Sequence, residues 1–313
     1  MTNAEWHRWC KDSSSLPITC DPAWALAINA IPDVRTQPVP FLSEDSNGEA
    51  LIVGYPRAGR VMRALTLSPF GLGAAFDYRG DDTSPRRLLR SFIDQRSYRW
   101  RSIGFVNPFY WSDSDGDLRP PNATFRGETH ALELSRGYDD LFTRAFKGAT
   151  RTCIRRSEHE GVQVKVASHP SQVRDYFLVH RALAHAKGGY ADLYPESVFA
   201  TLVQSCRRAQ VLVATSGEKV IGGGVFLDDG PTVFYWHAAA DRNFSSFQPA
   251  YAVLSFAIRD AISKGKTWLN FGASQGIDSL RRFKESWGAI PISQRSVTYR
   301  NPMLRVIRGL AGR

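Results

Sequence analysis

Hydrophobic and polar positions change their spacing several times along this chain of 313 residues. In its first third, four stretches have strand composition: Val34–Leu42, Ala50–Tyr55, Val61–Thr66 and Tyr98–Val106. Before the last of them, the apolar residues of Ser84–Gln95 recur at helical period on one face. The pattern predicts a first region in which strands are combined with helices.

A long polar segment, Asn107–Gly127, follows this region and is rich in Pro, Asp, Ser and Asn. This composition predicts a loop, and a loop of that length is typical of a site cover or a domain junction. We therefore expect an N-terminal domain over residues 1–130 and a second domain over residues 131–290.

The second region has the order strand, helix, strand, helix, helix, three strands, helix and strand. The segment Asp139–Glu160 is predicted to form one long amphipathic helix, because its apolar residues recur at steps of three and four. The run Gly222–Gly224 lies inside a strand pattern, which indicates a bulge or a close approach of another group to the backbone. The element order is that of a mixed sheet covered by helices.

Charge and cysteine content narrow the class of protein. Lys and Arg number 40 against 30 Asp and Glu, a formal net charge of +10. Arginine suits phosphate recognition, although the same residues also form ordinary solvated surfaces. The four cysteines are widely spread and indicate neither a zinc site nor a disulfide framework, which fits a reducing cytosol. No apolar run approaches the roughly 20 residues that a membrane-spanning helix needs, so we expect a cytoplasmic protein. No metal-binding motif occurs either, so we expect no metal.

The run from Gly265 to Pro291 is the most informative stretch of the chain. It places a helix end, a short strand, a Gly/Ser loop, the pair Phe283-Lys284 and then Trp287-Gly288-Ala289 in succession. This order resembles the end of the transferase domain in the FemAB-like family, which belongs to the GNAT fold group. The resemblance implies two GNAT-like α/β domains with mixed sheets flanked by helices. It also implies that residues 291–313, a strand followed by a helix over Met303–Leu310, pack on the first domain.

Phe283 and Lys284 are the first candidates for catalysis. Acyl transfer to an amine builds negative charge on the carbonyl oxygen, and a fixed cation beside that oxygen lowers the barrier. In the family that the chain resembles, the matching pair lies beside the terminal sugar of the aminoacyl-tRNA. The alternative is that Phe283 belongs to the core and Lys284 to the solvated surface.

Other candidates are expected to bind substrates. Lys187 and Tyr190 match approximately the basic and aromatic residues that hold the acceptor in the family. Tyr235 and His237 lie at a strand end, where α/β folds place ligands, and His237 is either a base or a histidine packed beneath a loop. The remaining substrate-binding candidates are Arg242, Arg281 and Arg282, and the candidates for tRNA binding are Arg151, Arg155 and Arg156.

The segment Arg242–Tyr251 lacks the glycines with which acetyl-CoA enzymes of the GNAT group cradle the pyrophosphate on backbone amides. Pro249 also removes one amide there. Use of acetyl-CoA by the second domain is therefore not expected. No heptad segment indicates the long helical arm that some family members insert.

The leading hypothesis is an aminoacyl-tRNA-dependent N-aminoacyltransferase that acts on an amine of a cell-wall precursor or a peptide-like metabolite. It needs no cofactor, because the activated donor is a co-substrate. One alternative keeps the fold but takes the acyl group from acyl-CoA or from an acyl carrier protein. Another is a non-catalytic basic module that binds RNA or, weakly, an anionic membrane surface.

Overall fold

The computed structural model describes residues 1–13, 16–31, 37–57, 63–81, 84–106, 122–186, 194–301 and 303. The chain divides into two compact units, Met1–Gly127 with Ser293–Arg313 and Glu128–Ile292. The terminal helix that the sequence predicts over residues 303–310 falls almost wholly outside the described residues. The two units are called unit 1 and unit 2 below.

Helices and strands alternate irregularly along the chain. The helices are α1 (Asn3–Asp12), α2 (Pro22–Ile28), α3 (Ser84–Arg96), α4 (Tyr138–Asp140), α5 (Gly148–His159), α6 (Pro170–Ala186), α7 (Glu196–Ser205), α8 (Pro249–Ser263) and α9 (Asp278–Ser286). The strands are β1 (Val39–Asp45), β2 (Gly48–Arg57), β3 (Ala64–Thr66), β4 (Phe76–Gly80), β5 (Ser102–Val106), β6 (Ala123–Glu133), β7 (Gln163–Val166), β8 (Ala209–Ser216), β9 (Lys219–Asp229), β10 (Thr232–Ala240), β11 (Trp268–Ala273) and β12 (Ile290–Arg300).

Unit 1 is a mixed sheet with the strand order β1-β2-β3-β5-β12, and β4 pairs with β2. Strands β3 and β5 are parallel, whereas their outer neighbours β2 and β12 run antiparallel to them. Helix α3 packs on this sheet through the face predicted from its spacing, with Leu88, Leu89, Phe92 and Ile93 buried in the core. The return of the C-terminal strand β12 to this sheet is confirmed.

Unit 2 is a second mixed sheet, with the order β6-β11-β10-β9-β8-β7. Its central strands β10 and β11 are parallel, and all the other neighbours are antiparallel. Helix α8 contributes Val253, Leu254, Ala257 and Ile258 to the main core of the unit. Both units therefore contain one parallel strand pair with antiparallel strands on either side, and the predicted fold class of mixed sheets flanked by helices is confirmed.

The single helix predicted over Asp139–Glu160 is wrong. Helix α4 continues into a π-helix over Leu141–Ala145, and the backbone of Phe146 is then extended before α5 begins at Gly148. The break is stabilised by distant contacts, because Phe146 packs edge-to-face on Trp287 and Lys147 N donates to Ser286 O. Apolar spacing of three and four continues through the break, so periodicity could not reveal it.

The loop predicted up to Gly127 is also too long. Strand β6 begins at Ala123, and its first residues, Ala123–Arg126, have exposed side chains. An exposed strand carries no alternation of apolar and polar residues, which explains why this part was not predicted. Strand β4 was likewise missed.

Candidate functional site

The ends of strands β10 and β11 form the centre of the candidate site in unit 2. Their parallel pairing covers three residues of each strand and ends at Phe234 and Asn270. Strand β10 then has a bulge between Tyr235 and His237, and the pairing of β11 with β6 is irregular before Ala273. The two strands therefore separate at their carboxyl ends, which is where α/β folds bind ligands.

Lys284, the first catalytic candidate, lies at this strand end. It projects from α9 and is only 3% exposed. Its Nζ donates to the carbonyl oxygens of Gly272 at 2.7 Å and Ala273 at 2.9 Å. Burial lowers the pKa of the Lys284 ammonium to about 8. The structure therefore makes Lys284 neither a solvated surface residue nor an unattached cation, since it binds the last two carbonyls of β11.

Asn270, a residue of β11, also binds the backbone at the end of this strand. Its Oδ1 accepts from Gly272 N at 2.8 Å and from the Thr129 hydroxyl of β6 at 2.6 Å. Gly272 has φ of 74°, a left-handed conformation that favours glycine. Lys284 and Asn270 together hold the last two residues of β11, and thereby the start of the turn that follows, through backbone carbonyl and amide groups.

A second ionisable group, His130 of β6, lies beside this turn and is completely buried. Its Nε2 lies 3.5 Å from Glu128 Oε1 and 4.0 Å from Glu285 Oε1. Among the described residues, neither ring nitrogen has a hydrogen-bond partner. Burial lowers the pKa of His130, and the nearby carboxylates of Glu128 and Glu285 counteract this shift. Sequence reasoning missed His130, although a histidine inside a predicted strand was a visible signal.

Phe283, the other catalytic candidate, packs into an aromatic group on the same side of α9. Its ring lies edge-on to Tyr251 of α8, with centroids 5.6 Å apart, and Tyr251 stacks on Trp287. Trp287 is completely buried and belongs to the main core. Phe283 therefore joins α9 to the core, which places the neighbouring Lys284 at the end of β11.

His237 and Tyr235 occupy different environments on β10. Nδ1 of His237 lies 2.8 Å from the hydroxyl of Tyr176 on α6, and its ring contacts that of His180 with centroids 4.2 Å apart. Burial lowers the pKa of His180 and raises that of Tyr176 well above its ordinary value. Tyr235 stacks on Phe226 within the core, and burial raises its pKa as well.

The expected close approach at the glycine run of β9 is confirmed. A Cβ atom on Gly223 would lie 2.4 Å from Leu212 O and 2.6 Å from the Tyr176 ring. The absence of a side chain lets the Tyr176 ring lie directly on the sheet. The glycine therefore helps to place the Tyr176 hydroxyl against His237.

The segment before α8 has no open row of backbone amides. Residues Arg242–Phe247 form a 3₁₀-helix, and the carboxylate of Asp241 accepts from Asn243 N at 3.0 Å. The amide of Tyr251 donates to Gln248 O, and Pro249 has no amide hydrogen. Arg242 itself is exposed and lines a cavity of about 370 Å³ with Leu178 and other residues of α6.

The arginine candidates on α5 and α9 make different contacts. The Arg151 guanidinium donates to Phe146 O and Thr143 O, so it stabilises the break before α5. Arg155 is exposed and covers the Phe142 ring, and Arg156 lies 3.9 Å from Glu160. On α9, Arg281 pairs with Asp278 and Glu285, whereas Arg282 is exposed.

Two of the candidates, Lys187 and Tyr190, lie outside the described residues. The structure brings Lys284, Phe283 and Arg281 together on α9 and places Tyr235 and His237 on the neighbouring strand β10. Arg151, Arg155 and Arg156 lie on another helix, α5. Within the described ranges, no group of three His, Cys, Asp or Glu side chains could hold a metal ion. In the same ranges no helix is both long and apolar enough to cross a membrane.

Comparisons with known proteins agree with this geometry. Residues 144–285 match the family described as Acetyltransferase (GNAT) domain. This segment contains helices α5 to α8 and most of the strand-end site. A comparison with curated protein sequences gives no match.

Solved structures resemble the chain over nearly its whole length. FemX superimposes with a TM-score of 0.72 at 13% identity, covering 98% of both chains. L-PGS from Bacillus licheniformis gives 0.59 at 15% identity, covering 100% of this chain and 97% of its own. The C-terminal domain of a lysylphosphatidylglycerol synthetase from Agrobacterium fabrum gives 0.60 at 15%, covering 98% and 96%. The FemAB-like, GNAT-type fold expected from the sequence is confirmed, and the protein is an acyltransferase of that fold.

Proposed function

We propose that this acyltransferase moves an aminoacyl group from aminoacyl-tRNA to the amine of a cell-wall precursor or a peptide-like metabolite and forms an amide bond. The neutral amine attacks the ester carbonyl, the new C–N bond forms, and the C–O bond to the ribose breaks. The proton that the amine loses ends on the ribose oxygen. The ester is already activated, so positioning of the two substrates and stabilisation of the oxyanion carry the catalysis.

The observation that carries the proposal is the segment before α8. GNAT enzymes that use CoA bind its pyrophosphate on free amides at this helix start. Here residues Arg242–Phe247 form a 3₁₀-helix, whose amides form hydrogen bonds within the helix. The amide of Asn243 donates to the carboxylate of Asp241. The arrangement therefore favours a donor other than CoA.

The structural relatives give a second, independent argument for aminoacyl transfer. A lysylphosphatidylglycerol synthetase makes, by its name, an aminoacylated product, and the chain shares its fold over 98% of the present sequence. The resemblance to the FemAB-like family, stated above from residues Gly265–Pro291, points to the same donor. A net charge of +10 suits a polyanionic donor such as tRNA.

The strand-end site supplies what such a reaction requires. Lys284 and Asn270 fix the end of β11 through three hydrogen bonds to its backbone. A rigid backbone beside a separated strand pair can hold the reacting ester in one orientation, and the buried ammonium gives the site a positive potential where the oxyanion develops. Exposed Arg155 is the residue of α5 that we assign to the tRNA backbone.

One observation favours a second candidate. The matched family is described as an acetyltransferase domain, which supports transfer from acyl-CoA or an acyl carrier protein on the same fold. The same match speaks against a non-catalytic binding module.

The test is single-turnover transfer of label from a mixed aminoacyl-tRNA pool to a panel of peptide and sugar-peptide amines. Parallel reactions contain labelled acyl-CoA or acyl carrier protein. We expect label to move only from tRNA, and we expect Arg155→Ala to weaken tRNA binding and to lower the slope of log affinity against log salt by about one. Consumption of acyl-CoA with unchanged aminoacyl-tRNA would refute the proposal in favour of the second candidate.

A further inference from the structure

The buried histidine of β6 has no role in the chemistry described so far. His130 is completely enclosed, yet within the described chain neither of its ring nitrogens is hydrogen-bonded. Such a group normally costs stability unless it is paired. His130 lies beside the end of β11 that Lys284 binds, so we infer that the buried imidazole serves this part of the site.

Charged groups from two elements face His130. Strand β6 itself contributes Glu128 at 3.5 Å, and α9 contributes Glu285 at 4.0 Å together with the cations of Lys284 and Arg281. The neighbouring strand β11 carries no ionisable side chain. The positive groups oppose protonation of the imidazole, and burial opposes it more strongly.

Protonation of His130 would weaken the hydrogen bonds that Lys284 donates to the end of β11. Glu285 at present pairs with Arg281 at 3.4 Å, and an imidazolium would compete for the same carboxylate. The new positive charge would also repel the buried ammonium of Lys284 in surroundings of low dielectric constant. Lys284 would then lose its proton or move away from the carbonyls of Gly272 and Ala273.

We propose that His130 is a positioning residue of the transferase: its neutral imidazole keeps Lys284 on the end of β11, and transfer stops when the imidazole gains a proton. This inference rests on the proposed function for its activity readout. It assigns no contact between His130 and either substrate, since the side chain is enclosed.

The experiment compares wild type with His130→Asn, which cannot gain a proton in the relevant range. His7→Asn, which removes an exposed histidine of α1, is the matched control. Single-turnover transfer from aminoacyl-tRNA is measured from about pH 5 to about pH 8, on both sides of the ordinary imidazole pKa. Protonation of the acceptor amine lowers the rate in every variant, by about tenfold per pH unit on the acid side. Wild type and the control should show an additional fall of about tenfold per pH unit below the imidazole pKa, and in His130→Asn this additional acid limb should be absent.

A second readout does not need turnover. Hydrogen exchange of the amides of Gly272 and Ile277, which donate to Asn270 Oδ1 and Ser274 O, is compared between the two proteins at each pH. Wild type should lose protection as the pH falls, whereas His130→Asn should keep it. An unchanged acid limb or unchanged exchange in a folded His130→Asn protein would overturn the inference. Loss of protection in wild type without any transfer would instead leave the inference standing and refute the proposed function.

Discussion

The two units contain the same arrangement of strands but end their parallel pairs differently. In unit 1 the pair formed by β3 and β5 continues past its last strand residue, because Leu67 N donates to Gly104 O and Val106 N donates to the Ser68 hydroxyl. In unit 2 the pair formed by β10 and β11 stops after three residues, and the ammonium of Lys284 satisfies the carbonyls beyond it.

The same strand arrangement is therefore only structural in unit 1, whereas in unit 2 it holds the candidate functional groups. In unit 1 a short neutral side chain closes the strand end at little cost. In unit 2 the same place holds a buried ammonium and a buried imidazole, both of which are expensive to enclose. Groups that reduce stability in this way cluster at functional sites, so we assign the chemistry to unit 2.

The largest expected effect comes from Lys284→Met, which removes the cation and keeps the volume of the side chain. Two buried carbonyls lose their donor, at about 1–3 kcal/mol each, while relief from burying a charge offsets part of this loss. Single-turnover transfer should therefore fall at least about 100-fold, with a smaller change in the free energy of unfolding.

The same substitution at Lys264, an exposed residue beyond the end of α8 that pairs with Asp260, is the control. It should change both quantities little, since such pairs contribute less than about 1 kcal/mol. Equal rates in the two variants would show that Lys284 does not serve transfer.

A smaller effect is expected from Asn270→Ala, which takes one acceptor from both Gly272 N and the Thr129 hydroxyl. Unfolding measured by denaturant should show a loss of about 1–3 kcal/mol, and transfer should fall about tenfold as the turn loosens. Asn270→Asp keeps an oxygen in place and should recover most of the rate. No difference between the Ala and Asp variants would separate Asn270 from the site.

The pH dependence of stability should differ between the strand ends, because the end of β11 in unit 2 carries two buried groups with lowered pKa values, Lys284 and the nearby His130. For His130 the unfolded chain, with a reference pKa of 6.5, binds more protons than the native state, so stability falls as the pH decreases through this region. For Lys284 the native pKa is about 8 against 10.5, so stability rises with pH between these values.

Thermal unfolding across pH tests both slopes. His130→Asn should reduce the acid slope and Lys284→Met the alkaline slope, each without changing the other. If both slopes persist in both variants, the titrating groups lie elsewhere in the chain.

The smallest effect is expected in unit 1. Ser68→Ala removes the hydroxyl that accepts from Val106 N at 2.8 Å and should cost about 1 kcal/mol of stability. Transfer should stay within about twofold of wild type, because the proposed chemistry lies in unit 2. A loss of transfer comparable to that of Lys284→Met would abolish the distinction between the two units.

Local patterns predicted the parts of the fold that local interactions determine. The apolar face of α3 and the close approach at the glycine run of β9 were both visible in spacing and residue type. The break at Phe146 was not visible, because the contacts that stabilise it come from Trp287 and Ser286. Candidate site residues showed the same division, since sequence reasoning singled out Lys284 but not His130.

The sequence by itself determined most of the order of elements, the FemAB-like resemblance and the absence of glycines before α8. These properties depend on neighbouring residues, whose spacing and backbone preferences can be judged along the chain. Only the tertiary structure decided what Lys284 and Asn270 bind. Asn270 meets Thr129 across 141 residues, and which groups such distant segments bring together depends on strand register and on the packing of α9. The burial that lowers the pKa values of Lys284 and His130 exists only when those segments have assembled.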